Sequence, residues 1–456
     1  MTTQAVKPGN WVEHTMAWDE LDFTKITMRI STDRFTSREY AERERELIWS
    51  KVWQVAGRVD EQPENGDWKE YRIFDQSYVV VRGNDAKIRG FVNACRHRGN
   101  VLCRDKKGHS NGRFTCPYHL WSYGLDGRLV GVARPDLVGP IDKSELGLLE
   151  VPVDTFAGFI FLNPDPGAKP LAEFLGKEVL ELLAPYKLDE MTPVMDVREP
   201  LECNWKVVMD AFSEAYHIVG VHPQLLAVIV PDVVKNRNAW FGDHALACAP
   251  FEVKMEAGFG PEDEVKGIMA LPATFPGVAE VLPTFEEMVA SHRDVNGTLK
   301  YPEGVSGRTL LQQATRVTLT RKGLDVSGLS DDQMTDNQGW FLFPNFMMTI
   351  RAGEAHVIMS APHPDGDPNR CIWHVASYMW LPPGPREQYR AGLVEVTEPG
   401  SYTYFEALQQ DYDQMPRQQL GLRNHTLKYL HLAQEEVNVA RFHGVVDRYM
   451  EGKEKS

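Results

Sequence analysis

Four residues, Cys95, His97, Cys116 and His119, constrain this chain more than any other feature of its sequence. They form two short motifs, C-R-H and C-P-Y-H, with 18 residues between them. Two cysteines and two histidines in this order suit a [2Fe–2S] cluster in which thiolates bind one iron and imidazoles bind the other. The fold therefore has to bring both motifs to one cluster, and we expect each motif in a loop that follows a short strand.

A cluster with this mixed ligand set is of the Rieske type. Two neutral imidazoles in place of two thiolates raise the reduction potential well above that of an all-cysteine cluster. The four residues therefore predict a redox protein that passes single electrons onward.

Length and composition indicate a two-domain globular protein. The chain has 456 residues, 43% of them hydrophobic, and a net charge of −15, which argues against a nucleic-acid partner. No run of about 18 apolar residues suggests a membrane span. The first residues lack the apolar core of a signal peptide, so we expect a cytoplasmic protein. The four cysteines outside the cluster motifs are expected to be buried thiols: Cys103, Cys203, Cys248 and Cys371.

The charge is uneven along the chain. Between Cys95 and Arg113, six basic side chains against one acidic side chain give a net charge of +5. This segment is either a solvated loop or a docking surface for an acidic electron donor, since opposite charges steer encounter. The six basic residues are Arg96, Arg98, Arg104, Lys106, Lys107 and Arg113.

The pattern of strands and helices predicts an α+β fold. Residues 1–45 read as an arm with the start of a helix, 46–165 as a small all-β cluster domain, and 166–456 as a larger domain. In the larger domain, strands are predicted from Trp340 onward and helices at 384–398 and 401–446. Residues 225–335 are rich in Gly and Pro, and they predict strands interrupted by a long loop near FGPEDEVKG.

A second group of metal-binding residue types lies in the stretch from Glu214 to His222. His217 and His222 are five residues apart, which on a regular helix places them about 140° apart. They can meet at one metal only if the helix loosens, and Gly220 and Pro223 favour such a break. Two histidines and one carboxylate form the facial triad of non-haem Fe(II) oxygenases.

Taken together, the two groups resemble the catalytic α subunit of Rieske non-haem iron ring-hydroxylating oxygenases. The resemblance rests on C-x-H and C-x-x-H, followed about 100 residues later by N-W-K-x(7)-E-x-Y-H-x(4)-H-P, and it covers roughly residues 35–425. It implies a Rieske domain followed by a helix-grip-like catalytic domain, in which an antiparallel sheet is flanked by helices.

The resemblance also implies the role of each matching residue. Cys95, His97, Cys116 and His119 would hold the cluster, while His217 and His222 would bind the mononuclear iron. Two further residues have catalytic roles in this scheme. Glu214 would bridge the iron-site histidine to a cluster histidine of a neighbouring subunit, since a carboxylate can accept a hydrogen bond from each imidazole. Asp210 stands where many members have Asn, and it would add local charge or take part in proton supply.

The third iron ligand has to come from the segment EALQQDYDQMPRQQLGL. Matching Gln419 to the glutamine of the family's Q-x-G-L puts this ligand at Asp411, and Asp413 and Glu406 are the competitors. Two features depart from the family pattern. The gap between the cluster motifs is about one residue longer than usual, and Arg417 stands where an acid is common.

Two other kinds of protein, an electron carrier and a zinc hydrolase, would use only one of the two groups. A Rieske electron carrier of the respiratory type has an extra cysteine near each motif, but Asn100 and Tyr118 stand there in this chain. A ferredoxin would leave the larger domain without a purpose. A zinc hydrolase at His217 and His222 would leave the cluster without one.

The resemblance further implies partners and a substrate class. Electrons from NAD(P)H would arrive through a reductase, directly or by way of a ferredoxin, and the chain would form a homotrimer or an α3β3 complex with a small β subunit. The expected substrate is apolar, and aromatic or polycyclic, with one or two oxygen atoms inserted from O2. The side chains that could line its pocket are Phe212, Trp240, Phe241, Phe343, Phe346, Met347 and Met348.

Overall fold

The computed structural model describes residues 11–225, 236–250, 260–273, 276–384 and 386–452. The chain forms two compact units. The larger unit takes in Met1–Tyr40, Leu175–His363 and Asp367–Ser456, and the smaller unit takes in Ala41–Phe174 and Pro364–Gly366. The domain limits predicted from the sequence stay a prediction.

The smaller unit consists of antiparallel strands, as predicted. Its five-stranded sheet contains, in sheet order, Glu150–Val151, Ile88–Val92, Gln76–Arg82, Asp67–Ile73 and Lys107–His109. One three-stranded sheet contains Leu129–Gly131, Ser122–Gly124 and Arg113–Thr115, and the other contains Val153–Phe156, Phe159–Leu162 and Gln54–Arg58. A short helix, Pro135–Val138, lies between strands of different sheets.

Both cluster motifs lie in loops of this unit. The first motif follows the strand Ile88–Val92, and the second connects the paired strands Arg113–Thr115 and Ser122–Gly124. Cys95 and Cys116 belong to one buried apolar cluster with residues such as Phe91, Phe114 and Trp121. The thiol groups of the two motifs are therefore kept away from water.

The larger unit is built around one nine-stranded sheet among the described residues. Neighbouring strands are antiparallel except for the last pair, which is parallel. In sheet order the strands are Met16–Ala17, Arg237–Phe241, His244–Ala249, Asn337–Leu342, Phe346–Arg351, Glu354–Pro362, Cys371–Met379, Thr192–Leu201 and Val394–Glu395. A separate pair joins Arg29–Ser31 to Tyr429–His431.

Helices accompany this sheet and make the unit α+β, as predicted. Trp205–Ala211 packs against the strand Glu354–Pro362 and the helix Glu406–Leu422. Within the described parts of the chain, no helix is both long and apolar enough to cross a membrane. Besides Pro135–Val138, the α-helices that precede the strand Thr192–Leu201 are Asp33–Thr36, Arg38–Glu44, Leu171–Leu175 and Lys177–Leu183. Those that follow this strand are Trp205–Ala211, Ile218–Val221, Pro261–Ala270, Leu282–Ala290, Gly307–Lys322, Asp332–Thr335, Arg386–Tyr389, Glu406–Leu422 and Val437–Met450.

The interpretation of residues 225–335 as strands around a long loop was wrong for most of the part that is described. Only Arg237–Phe241 and His244–Ala249 are strands there, and the segment PEDEVKG opens the helix Pro261–Ala270. Pro261 stands in the first turn, where its missing N–H has no helical partner to lose. A proline that reads as a helix breaker in the sequence thus starts a helix in the structure.

Candidate cluster and metal sites

The two cluster loops share one backbone design. In the first loop, the Cys95 N–H donates to the Asn100 carbonyl at 2.8 Å, and the Gly99 N–H donates to the Cys95 carbonyl at 2.9 Å. The second loop repeats both bonds at the same spacing, from Cys116 to Trp121 at 2.8 Å and from Leu120 to Cys116 at 3.0 Å. The repeated turn places Cys95 and Cys116 at equivalent positions, while His97 stands third and His119 fourth in their turns.

This turn needs a left-handed backbone at its fifth residue. Gly99 has a φ of 73° and Leu120 has a φ of 58°. Glycine adopts this conformation at no steric cost, whereas a leucine is strained in it. Leu120 also leaves its side chain 59% exposed.

The four candidate ligands of the cluster converge at these loops. Cys95 and Cys116 are buried, while His97 is exposed and His119 is partly exposed. The two imidazole rings lie 4.7 Å apart between centroids, and His97 stacks on Trp121 at 4.8 Å. Two buried thiols and two imidazoles at the surface fit a [2Fe–2S] cluster whose histidine ligands face a redox partner. The assignment of these four ligands stays a prediction that the geometry supports.

Tyr123 contacts one of the candidate thiolates. Its hydroxyl lies 3.2 Å from Cys95 Sγ and accepts the Arg96 N–H at 3.0 Å. Because the backbone N–H uses the oxygen as an acceptor, the hydroxyl proton is free to point at the sulfur. Hydrogen bonds to cluster sulfurs are one of the terms that set a cluster's reduction potential. No motif in the sequence indicates Tyr123.

The two candidate iron-site histidines flank a single helical turn. The helix Trp205–Ala211 ends well before His217, and the short helix Ile218–Val221 lies between His217 and His222. The break predicted between the two histidines is therefore wrong, because Ile218–Val221 is helical with Gly220 inside it. The irregular backbone lies before His217 and after Val221. With their rings on this turn, the two histidines approach to 5.2 Å between centroids.

Asp411 completes a group of three metal-binding side chains. Its Oδ1 lies 2.9 Å from His222 Nε2 and 3.6 Å from His217 Nε2. All three donor atoms lie within 4.8 Å of one another. Two imidazoles and one carboxylate in this arrangement are the donor set of a mononuclear non-haem iron site. The donors present thus fit the iron that the sequence predicts.

The two competing carboxylates do not reach this group. Asp413 is exposed and accepts a hydrogen bond from Gln409 at 2.9 Å, and Glu406 is exposed in the first turn of the same helix. Asp411, by contrast, is one of the buried residues of the helix Glu406–Leu422. The geometry therefore favours Asp411 among the three candidates.

Buried groups anchor the start of this helix. Tyr412, next to Asp411, donates its hydroxyl to Glu199 at 3.0 Å, and Tyr404 donates to the same carboxylate at 2.5 Å. Burial raises the pKa of the Tyr412 hydroxyl above its ordinary value, and the nearby Glu199 carboxylate raises it further. Both phenols therefore remain donors, and they hold the helix that carries Asp411.

Glu214 fixes the ring of His217. Its Oε1 lies 2.6 Å from His217 Nδ1, and its Oε2 accepts the backbone N–H of the same residue at 3.1 Å. A carboxylate on the far nitrogen fixes the tautomer and raises the basicity of the ligating nitrogen. Each carboxylate oxygen keeps a second lone pair, which could accept a hydrogen bond from another imidazole. Glu214 can therefore accept the second hydrogen bond that the predicted bridge to a cluster histidine requires.

Asp210 has a partner that the sequence did not reveal. The buried His443 faces Asp210 Oδ2 with its Nε2 at 3.1 Å, and its Nδ1 lies 3.0 Å from the Arg34 guanidinium. A guanidinium can only donate, so the proton of His443 lies on Nε2 and Asp210 accepts it. Asp210 is thus held in a buried chain of hydrogen bonds. No sequence pattern could have linked it to a residue 233 positions away.

His222 is oriented by a residue next to Asp411. Gln410 Oε1 lies 2.7 Å from His222 Nδ1. Burial lowers the pKa of His222, but the hydrogen bonds to Asp411 and Gln410 outweigh it, and the pKa is raised. Sequence reasoning missed Gln410, although its position beside the candidate ligand was a usable signal.

Several of the side chains expected to line a substrate pocket take part in packing. Phe343 stacks on Tyr449 at 4.9 Å, Phe241 stacks on Trp340 at 5.9 Å, and Phe346, Met347 and Met348 are buried in the sheet. Phe212 follows the helix Trp205–Ala211 and lies 5.8 Å from Trp373. Phe212 is the member of the set that lies on the iron-site segment of the chain.

Comparison with known proteins gives two family matches. Residues 188–452 match the ring hydroxylating alpha subunit (catalytic domain), and residues 52–141 match the Rieske [2Fe-2S] domain. The candidate iron ligands fall inside the first match, and the candidate cluster ligands fall inside the second.

Individual relatives agree with these matches. The glycine betaine monooxygenase oxygenase subunit of Pseudomonas aeruginosa is 33% identical over 204 residues, which is 44% of this chain and 47% of the relative. The 2-aminobenzenesulfonate 2,3-dioxygenase subunit alpha of Alcaligenes sp. is 29% identical over 284 residues, 61% of this chain and 71% of the relative. The match to the first relative thus spans about half of its length.

A solved structure shows the same fold. Naphthalene 1,2-dioxygenase from Rhodococcus sp., bound to indole, superposes with a TM-score of 0.61 at 20% sequence identity. The superposition covers 94% of this chain and 95% of that one.

Proposed function

This chain belongs to the ring hydroxylating alpha subunit family and carries a Rieske [2Fe-2S] domain, and from that premise we propose that it is the catalytic subunit of an O2-dependent oxygenase. The observation that carries the proposal is the convergence of His217, His222 and Asp411. Two imidazoles and a carboxylate leave positions open on iron for O2 and substrate.

The chain would bind iron at two sites, a [2Fe–2S] cluster site and a mononuclear site. Cys95, Cys116 and the two neighbouring histidines would hold the cluster, and His217, His222 and Asp411 would hold the mononuclear iron. When bound, the two iron centres would supply single electrons and the reductive activation of O2. Glu214 fixes the His217 ring and offers a hydrogen bond to a second imidazole, while Asp210, which accepts a hydrogen bond from His443, would add local charge.

Electron supply and assembly are further parts of the proposal. NAD(P)H-derived electrons would reach the cluster through a reductase, with or without a ferredoxin, at the exposed face of His97. The working form would be a homotrimer or an α3β3 complex, in which Glu214 contacts a cluster histidine of the neighbouring subunit. The partly exposed ring of His217 is consistent with a site that another chain completes.

The proposal includes two candidate substrate classes. The apolar, aromatic or polycyclic substrate predicted from the sequence is one. The other is a small molecule with charged groups, because glycine betaine is a zwitterion and 2-aminobenzenesulfonate is an anion. We favour the charged class, since the two relatives named for such compounds are 33% and 29% identical to this chain over the matched residues, whereas naphthalene 1,2-dioxygenase is 20% identical.

An electron carrier without oxygenase activity is the alternative. It would need the cluster alone, and it would give His217, His222 and Asp411 no reason to converge. Metal analysis separates the two functions: the oxygenase should hold about three irons per chain, and a carrier about two.

The decisive experiment combines metal analysis with product analysis. The purified chain, reduced by a reconstituted donor, is supplied with ¹⁸O2 and a panel containing betaines, aromatic sulfonates and carboxylates, and apolar ring compounds. We expect ¹⁸O in a hydroxylated product. In His217→Ala, we expect loss of about one iron per chain and of hydroxylation, with the visible spectrum of the cluster unchanged.

Glu214→Gln tests the role of the Glu214 carboxylate beside His217. It should keep both metal sites but slow turnover, since the amide binds His217 more weakly and has lost the charge. An iron content of two per chain in the unaltered protein, or full hydroxylation in His217→Ala, would contradict the proposed function.

A further inference from the structure

Gln410 and Gln224 form a closed amide pair beside the candidate iron site. Gln410 Oε1 accepts from Gln224 Nε2 at 2.7 Å, and Gln410 Nε2 donates back to Gln224 Oε1 at 3.3 Å. The same Oε1 lies 2.7 Å from Nδ1 of His222. One glutamine thus joins His222 to the helix that carries Asp411.

This contact decides which nitrogen of His222 can bind a metal. An amide oxygen is only an acceptor, so His222 Nδ1 carries a proton when it faces Gln410 Oε1. Nε2 then remains as the ligand atom, and it is this atom that lies 2.9 Å from Asp411 Oδ1. Metal-binding histidines need this division between one bare nitrogen and one that donates to a fixed partner.

The two histidines of the site therefore have unequal partners. His217 Nδ1 faces the carboxylate of Glu214 at 2.6 Å, whereas His222 Nδ1 faces a neutral amide. A divalent cation with Asp411 and Glu214 is electrically neutral, and a third carboxylate at position 410 would leave a negative charge. His222 and Asp411 are both buried, so water would screen that charge poorly.

We propose that Gln410 is a positioning residue of the mononuclear site. It holds His222 in the tautomer that presents Nε2 to the metal, it does so without adding charge, and Gln224 holds the amide of Gln410 in place. The inference rests on the proposed function in one respect, since it takes His222 as a metal ligand.

The test measures metal binding rather than turnover. Protein with an intact cluster and an emptied mononuclear site is titrated with Fe(II) or Co(II) in competition with a chelator. Gln410→Leu removes the acceptor for His222 Nδ1 and should weaken binding by about 10–100-fold. Gln410→Glu keeps an acceptor and should bind at least as tightly as the unaltered protein. It should also change the electron paramagnetic resonance spectrum of the nitric oxide adduct of Fe(II).

Gln414→Glu is the matched control. Gln414 is exposed and lies one turn later on the same helix, so the substitution adds the same charge without touching His222. It should change neither the metal affinity nor the spectrum. Equal affinities for Gln410→Leu and the unaltered protein, or a spectrum in Gln410→Glu identical to that of Gln414→Glu, would overturn the proposal.

Gln224 is tested by a double substitution. Gln224→Leu alone should weaken metal binding less than Gln410→Leu, and the double variant should lose no more than Gln410→Leu alone, because both act through one amide. Additive losses would overturn the role of Gln224. His222→Ala distinguishes the two levels of inference. If it leaves metal binding unchanged, the proposed function fails, whereas if it abolishes binding and Gln410→Leu leaves the affinity unchanged, only the role of Gln410 fails.

Discussion

Leu120 occupies a backbone position that glycine would fill with less strain. It stands in the second cluster loop where Gly99 stands in the first, at a φ of 58°. Relief of left-handed strain is worth about 1–2 kcal/mol, and the extra freedom of an unfolded glycine offsets about 0.5–1 kcal/mol of it. Leu120→Gly should therefore raise the urea midpoint at which the visible absorption of the cluster is lost, since its exposed side chain sacrifices little burial.

Gly99→Ala is the reciprocal control. A Cβ at Gly99 meets nothing within 4 Å, so any effect of the added methyl group comes from the backbone alone. The substitution should lower the same urea midpoint, corresponding to a loss of about 1 kcal/mol. A midpoint in Leu120→Gly at or below that of the unaltered protein would mean that the leucine contributes contacts worth more than the strain.

At the scale of elements, Gln419 connects the helix that carries Asp411 to the start of the helix that precedes His217. Its Oε1 accepts the backbone N–H of Asn204, just before the helix Trp205–Ala211, at 3.0 Å, and its Nε2 donates to Phe35 and Asn369. Gln419→Leu leaves the buried Asn204 N–H without its acceptor, whereas the Phe35 carbonyl keeps the Asn204 side-chain amide as a donor. The substitution should cost about 2 kcal/mol of unfolding free energy, measured by urea denaturation. Because Asp411 lies about two turns earlier on the same helix, retention of the mononuclear iron should fall as well.

Gln418→Leu provides the comparison for this substitution. Gln418 is the exposed neighbour on the same helix, and its replacement should change the unfolding free energy by no more than about 0.5 kcal/mol. Equal stabilities for the two leucine variants would show that the hydrogen bonds of Gln419 do not hold the helices together.

The strands with a clear period were predicted well, whereas the two predicted helices at 384–398 and 401–446 were wrong in extent. The first contains the short helix Arg386–Tyr389 and the strand Val394–Glu395, and the second is interrupted by the strand Tyr429–His431. The segments EAHVIMSAP and CIWHVASYM form the strands Glu354–Pro362 and Cys371–Met379, because β-branched and aromatic residues favour a buried pleated surface. The helices between 260 and 322 were missed because Gly and Pro stand at their ends. Pro261 and Pro283 lie in first turns, and Gly323 ends Gly307–Lys322 with a φ of 100°.

The candidate sites divide in the same way. The four cluster residues lie close together in sequence, so their motif was sufficient to indicate them. The break expected between His217 and His222 was wrong, because Gly220 lies inside the short helical turn that separates them. Asp411 came from the resemblance alone, and the partners of Asp210 and His222 lie far away in sequence. Contacts of that kind depend on tertiary packing, which local patterns do not encode.

At the scale of the whole molecule, the charge is divided unequally. The chain carries −15 in total, and the segment from Cys95 to Arg113 carries +5, so the remaining residues carry −20. Within this segment Arg98, Arg104 and Lys107 are exposed, whereas Arg96 is partly buried and donates to the Gly147 carbonyl at 2.8 Å. An acidic electron donor would be repelled by most of the chain and attracted beside the cluster. Such a contrast would direct the donor to one face.

Charge reversal within this segment tests the docking hypothesis against the solvated-loop alternative. Arg104→Glu with Lys107→Glu should slow reduction of the cluster by an acidic donor by about tenfold at low salt, and should flatten the fall of this rate with added salt. Lys87→Glu with Lys143→Glu makes the same change in net charge at exposed positions of the smaller unit outside the segment. Stopped-flow reduction of both double variants separates local from overall charge. If the two variants slow equally, overall charge governs the encounter, and if neither slows, the basic segment is a solvated loop.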